Sequence, residues 1–202
     1  DRAWAYGHIV VDEAQELSPM AWRALLRRCP SRSFTVVGDL DQRRGSKRPA
    51  SWEKALGPAA RAFAAEYALP VSYRTPATLT ALAEAVVARA GAPVLYPMTA
   101  VRDVEDCYRV THVDVPEAAL ASSPQADPLW QAARDAQRIA EERLDREAGA
   151  SLGRIAIIVG AQRARAWGAD ANGESALSER VAFLSANASK GLEFDSVVLV
   201  EP

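Results

Sequence analysis

Ile9-Val10-Val11-Asp12-Glu13-Ala14-Gln15 and Val36-Val37-Gly38-Asp39-Leu40-Asp41-Gln42 are the two stretches whose reading decides the fold. Each is a short β-branched run that ends in acidic and amide residues. Such a run predicts a buried strand that delivers polar groups at its C-terminal end, where an open parallel sheet places its ligand site. Two adjacent carboxylates at that position suit Mg²⁺ and water activation in nucleotide hydrolysis.

Outward from these stretches, apolar runs and helical patterns alternate. Strands are predicted over 8–11, 34–37, 108–115, 155–159, 181–184 and 197–200, with extended chain over 66–71. Ser18-Pro19 gives an N-cap with proline at the first helical position, which opens a helix through about Arg28. Residues 51–56 predict a short helix stopped by Gly57-Pro58. Thr75 is expected to cap a helix whose first residue is Pro76 and which runs to about Ala90. Residues 129–147 form the longest amphipathic pattern, with acidic and basic residues interleaved on the outer face. Residues 43–49 and 91–106 read as irregular, 116–128 as a linker, and 162–179 as a stretch whose helical pattern is broken by Gly168 and Asn172-Gly173. The alternation predicts an α/β fold, a mostly parallel sheet with helices on both faces.

Composition narrows the class. The chain has 202 residues, 49% hydrophobic and 25% charged, with a net charge of −2. That balance argues against a wholesale nucleic-acid coat but allows a local basic groove. Cys29 and Cys107 lack metal-ligand spacing, which makes a reducing cytoplasm the expectation. No apolar run is long enough to span a membrane, and no signal-peptide pattern is present. The start at Asp1 and the end at Glu201-Pro202, just after a strand-like run, suggest a piece of a longer protein.

The chemistry is carried by a few residues. Asp12 reads as a Mg²⁺ partner, through water, and Glu13 as the base that orients an attacking water. The plainer reading is a carboxylate pair at a helix entry. Gln42 offers a neutral amide that bridges water and γ-phosphate without competing for the metal, although Gly38 and Asp39 also favour a turn. Arg74, beside Tyr73 at a strand-to-helix corner, is either a surface salt-bridge residue or a finger for phosphoryl charge. In the run Ser185-Ala186-Asn187-Ala188-Ser189-Lys190-Gly191-Leu192-Glu193-Phe194-Asp195, Gly191 permits close backbone approach and Glu193 can accept a ribose hydroxyl. Lys190 meets a phosphate or pairs with Asp195. His8 and His112 read as packing or edge residues, and Trp4, Trp22, Trp130 and Trp167 as core or interface aromatics.

In this order, these elements resemble the superfamily 1 helicases of the UvrD, Rep and PcrA type. Asp12-Glu13-Ala14-Gln15 resembles motif II (Walker B), and Gly38-Asp39-Leu40-Asp41-Gln42 resembles motif III. Tyr73-Arg74 resembles motif IV, and Lys190-Gly191-Leu192-Glu193-Phe194-Asp195 resembles motif V. The resemblance implies a RecA-like P-loop NTPase fold with ATP and Mg²⁺ between two domains. Residues 1–60 would be the C-terminal part of the first, and residues 61–202 most of the second. By that resemblance Asp12 serves Mg²⁺, Glu13 is the base, Gln42 senses the γ-phosphate, Arg74 is an arginine finger, and Gly191 and Glu193 bind nucleotide.

The departures are specific. No Gly-x-x-x-x-Gly-Lys-Ser/Thr phosphate loop occurs in these residues. The family carries it upstream of motif II, so hydrolysis is expected of the longer protein rather than of this chain alone. The motif VI arginine, expected downstream, is also missing. Where strand-tracking members have a Ser-x-Tyr-like run, this chain has Arg43-Arg44-Gly45, and the nearest aromatic is Trp52. Where motif V offers Thr and His, it has Ser185 and Asn187. Arg43, Arg44, Lys47 and Arg48 hold phosphates or form a solvated loop, and Ser185, Asn187 and Lys190 are the remaining nucleic-acid candidates. The interval between motifs IV and V leaves little room for a large inserted subdomain. Tyr73-Arg74-Thr75-Pro76-Ala77 and Ser51-Trp52-Glu53 resemble most the HelD/HelR branch, ATPases that release RNA polymerase from nucleic acid. The expectation is a cytoplasmic monomer acting on DNA or RNA polymerase. The alternatives are a UvrD-type repair helicase and a non-hydrolysing protein-binding module.

Overall fold

A computed structural model of the chain describes residues 4–43, 48–92, 94–116, 124–169 and 179–201. Arg44 and Lys47 lie outside these residues, as do most of the expected linker and the second half of 162–179. The fold is mixed α/β with small sheets, and every described strand pair is parallel. Packing divides the chain into two compact units, residues 1–109 and 110–202, whereas the sequence reading divides it at residue 60.

In the first unit, β1 (Ile9–Val11) pairs with β2 (Phe34–Val36), Val11 lying opposite Val36. Parallel neighbours need a crossover, and α1 (Pro19–Arg28) supplies it. Ser18 caps α1 by accepting the Ala21 N–H at 3.1 Å, with Pro19 at the first helical position, as the Ser-Pro pair predicts. Val11, Ala14, Trp22, Leu56 and Ala59 form the core beneath the strands. Trp22 is 1% exposed and meets Phe34 edge-on at 6.4 Å. Truncating such a residue costs about 3–5 kcal/mol. The predicted short helix is α2 (Trp52–Leu56), capped by Ser51. A 3₁₀ segment, Gly57–Ala62, then continues the chain past the expected stop.

A second crossover joins β3 (Val71–Ser72) to β4 (Thr99–Ala100) through α3 (Ala77–Arg89). Three expectations are corrected here. Pro76 is the cap rather than the first helical residue, and no side chain caps α3, because the Ala77 N–H is taken by the Arg102 carbonyl at 2.9 Å. β4 falls in a stretch read as irregular. Residues 108–115 alternate like a strand but join no sheet, since alternation makes a strand only where a neighbour offers ladder partners.

In the second unit, α4 (Pro128–Glu147) precedes the parallel sheet β6–β5–β7, with β5 (Ile155–Val159) at the centre between β6 (Val181–Ser185) and β7 (Ser196–Val200). β5 leads through α5 (Ala161–Trp167) to β6, and Gly168, at φ 66°, ends α5 where the sequence breaks the helical pattern. Ile157, Val159 and Val200 face Ala133 of α4 and Ala164 and Trp167 of α5. The opposite face, with Ala156, Ala182 and Leu184, is packed by Ala188, Leu192 and Phe194 of the β6–β7 connection. Helices therefore cover one face of this sheet, and the connection covers part of the other. On the outer side of α4, Arg138 pairs with Glu142 at 3.4 Å and Arg143 with Glu147 at 2.8 Å, the interleaving the sequence predicts. Among the described residues no helix is long and apolar enough to cross a membrane.

Candidate functional site

The ends of β1 and β2 lock to each other before any side chain takes part. The Val37 N–H donates to the Val11 carbonyl at 2.8 Å, and the Ala14 N–H donates to the Val37 carbonyl at 3.1 Å. Both polar loops therefore leave the sheet at its C-terminal edge. Glu13 then takes a left-handed backbone, φ 50° and ψ 36°, and opens a 3₁₀ turn over Ala14–Glu16. A non-glycine residue there carries a penalty of about 1–2 kcal/mol, which the surroundings must offset. Asp12 Oδ1 accepts the Glu13 N–H at 2.8 Å, and the Glu13 carboxylate accepts Gln15 Nε2–H at 2.7 Å.

Gln15 is 1% exposed, and its other amide atom, Oε1, accepts the Asp39 N–H at 3.1 Å. Gly38 makes this possible. A Cβ at residue 38 would stand 2.2 Å from Gln15 Oε1 and 2.9 Å from the Trp52 ring. Asp39 in turn shapes the second loop, a 3₁₀ turn over Leu40–Gln42. Its Oδ1 accepts the Asp41 N–H, and its Oδ2 accepts Gln42 Nε2–H, both at 2.8 Å. Glu13, Gln15, Asp39 and Gln42 thus form one continuous hydrogen-bonded run. Asp12 and Glu13 are solvent-facing, while Ala14 and Leu40 beneath them are buried.

Asp41 has a different task. It pairs with Arg48 and accepts the backbone N–H groups of Leu95 (3.0 Å) and Tyr96 (3.2 Å), tying the second loop to the turn before β4. The Tyr96 hydroxyl donates to Glu66. Burial, then the Glu66 carboxylate, pushes the Tyr96 phenol up to about 12.

The structure brings Asp12, Glu13 and Gln42 to one sheet edge. Arg43 follows directly, half-buried, its N–H bonded to the Leu40 carbonyl at 3.3 Å. Trp52 packs against the core. Arg74 is exposed at the corner between β3 and α3, where its carbonyl accepts from Arg102 at 3.4 Å. Trp22 is core, as read, but Trp4 is 69% exposed. His8 lies at the edge of the sheet, bonded through its two ring nitrogens to the hydroxyls of Ser33 (2.7 Å) and Thr35 (3.0 Å).

The remaining candidates share the β6–β7 connection in the second unit. Ser185 Oγ accepts the Ala188 N–H at 3.2 Å, which starts a tight turn that carries Asn187 and Lys190. Gly191 has φ 75°, with open space where a Cβ would be, so its backbone conformation is what selects glycine. Glu193 is exposed beyond it. Asp195 Oδ2 accepts the Arg154 N–H at 2.8 Å, fixing the end of the connection to the start of β5.

The second unit also holds a partly buried ionic cluster that the sequence reading missed. Arg163, 4% exposed, pairs with Asp127, 2% exposed, and forks onto Glu201 with two bonds of 2.8 Å. Asp127 also accepts Trp167 Nε1–H at 3.1 Å and caps α4 through the Leu129 N–H. Asp127-Pro128 repeats the cap-and-proline signal of Ser18-Pro19, and that signal marks the start of α4.

Two adjacent strand-end carboxylates with a nearby amide form a donor set suited to a hard cation that keeps most of its water and is shared with phosphate oxygens. Among the described residues no three His, Cys, Asp or Glu side chains converge as a closed metal cage. Asp12 as a single, water-mediated partner fits that arrangement. No protein-family model matches this chain, and no curated protein matches it.

Proposed function

We propose that this chain carries part of the ATP-hydrolysing motor of a superfamily 1 helicase-like protein with a RecA-like fold, and that the full-length protein releases RNA polymerase from nucleic acid. The observation that carries this reading is the bonded run from Glu13 through Gln15 and Asp39 to Gln42. It sets a solvent-facing carboxylate and a neutral amide at the edge of a parallel sheet, groups suited to orienting water against a phosphoanhydride. Asp12 holds Mg²⁺, which supplies neutralisation of phosphate charge when bound. Glu13 orients and deprotonates the water, and Gln42 contacts the γ-phosphate. Arg74 stabilises charge on the transferring group, and Gly191 and Glu193 bind the nucleotide. Residues 1–60 complete the first RecA-like domain and residues 61–202 form most of the second. The phosphate loop comes from elsewhere in the full-length protein, a cytoplasmic monomer.

The test is the ATPase rate of the full-length protein alone, with single-stranded DNA, and with core RNA polymerase. Stable polymerase binding with DNA-independent hydrolysis is expected. Stimulation by DNA without polymerase binding would make it a UvrD-type repair translocase that uses Arg43, Arg44, Ser185, Asn187 and Lys190 along the strand. Polymerase binding without hydrolysis would make it a non-hydrolysing binding module.

A further inference from the structure

We infer that Gln15 is a positioning residue that sets Glu13 and Gln42 in one register, and this rests on the hydrolytic reading of the site. Three observations support it. Gln15 is 1% exposed, and a buried amide is retained only where its polar atoms are satisfied. Both its amide atoms are spent across the two loops, Nε2 on the Glu13 carboxylate and Oε1 on the Asp39 N–H. Asp39 then holds Gln42 Nε2 at 2.8 Å. The position is also sterically defined, because residue 38 has no room for a Cβ beside Gln15 Oε1.

The direction of each bond matters. Only a side chain with a donor on one arm and an acceptor on the other satisfies both Glu13 and the Asp39 N–H. Leucine or methionine fills the space and makes neither bond. Glutamate keeps the acceptor but sets a second carboxylate against Glu13. Glutamine is therefore the residue that ties the Gly38–Gln42 loop to the Glu13 carboxylate. Gln15 itself touches neither water nor nucleotide in this assignment.

The test is a double-mutant cycle in the full-length protein, with Gln15→Met, Glu13→Gln and the pair. Gln15→Met should lower kcat on the order of tenfold to a hundredfold, the effect of a misplaced reacting group, with KM for ATP within about twofold. In the Glu13→Gln background the same change should lower kcat by much less than it does in the unaltered protein, because only its effect through Asp39 and Gln42 remains. Additive losses, or a loss confined to thermal stability, would overturn the inference.

A second measurement uses the full-length protein and needs no turnover. The Gln15 side-chain amide protons should exchange slowly with solvent and become faster by about tenfold or more in Glu13→Ala. The Asp39 amide should become faster in Gln15→Met. Fast exchange of both groups in the unaltered protein would refute the bridge whatever the ATPase assay shows. Slow exchange in a full-length protein that hydrolyses no ATP would refute the function and leave the bridge standing.

Discussion

The Glu13 carboxylate and the Gln42 amide terminate a single hydrogen-bonded run, although they stand on different loops at the ends of different strands. Each loop is shaped by its own acid. Asp12 accepts the N–H of Glu13, and Asp39 accepts the N–H of Asp41. The parallel pairing of β1 and β2 puts both loops on the same edge, and Gln15 closes the gap between them.

Glu13→Gln in the full-length protein should leave ATP binding intact and reduce single-turnover hydrolysis by about 10²–10⁴-fold, the usual contribution of a positioned base. Retained turnover would remove Glu13 from that role.

Arg74→Ala should lower kcat on the order of 10³-fold or more if the guanidinium meets transition-state charge. A change confined to KM would place Arg74 in ground-state binding instead. Arg74 is exposed at the β3–α3 corner, and circular dichroism would check that the variant keeps its fold.

Gly38→Ala should destabilise the first unit by about 1–3 kcal/mol, the range for overpacking a filled site. The added Cβ meets Gln15 Oε1, the Trp52 ring and, at 3.1 Å, the Ala14 N. Urea denaturation followed by tryptophan fluorescence reads the change, and an unchanged midpoint would mean that the loop shifts freely.

Tyr96 is expected to contribute to alkaline unfolding. Its folded value is raised from 10.0 to about 12, so the neutral phenol is the form the fold favours. The associated stability is fully present below pH 10 and is lost as pH rises toward about 12. Denaturation midpoints across that window should fall in the unaltered chain and fall less in Tyr96→Phe. Parallel slopes would exclude Tyr96 as the cause.

Asp127→Ala should cost the second unit about 1.5–3 kcal/mol, because Arg163 loses a buried charged partner while keeping its two bonds to Glu201. It also removes the α4 cap. Arg163→Met together with Asp127→Leu removes both charges and should cost less than Asp127→Ala alone. The opposite order would show that packing, not charge, sets the cost.

Local signals were legible wherever a few neighbouring residues decide the outcome. Ser18-Pro19 started α1, Ser51 started α2, Gly168 ended α5, and the apolar run 155–159 became the central strand β5. Thr75-Pro76 misled because the acceptor for the Ala77 N–H comes from Arg102, remote in sequence. Residues 108–115 misled for a related reason, since a strand needs a neighbour that sequence alternation cannot supply. The two-residue β4 was invisible because its pairing depends on Val71–Ser72 rather than on its own composition.

The candidate site divides in the same way. The sequence determined which chemical groups stand at the strand ends, because a β-branched run followed by Asp and Glu puts carboxylates where the strand stops. Only the tertiary structure decided that Gln15 is a buried bridge, that Asp41 holds the turn at residues 95 and 96, and that the buried pair Asp127 and Arg163 reaches the exposed Glu201. Each of these relations joins residues far apart in the chain. A hydrogen bond of about 3 Å between such groups depends on how the backbone packs, which no local pattern of residue types encodes.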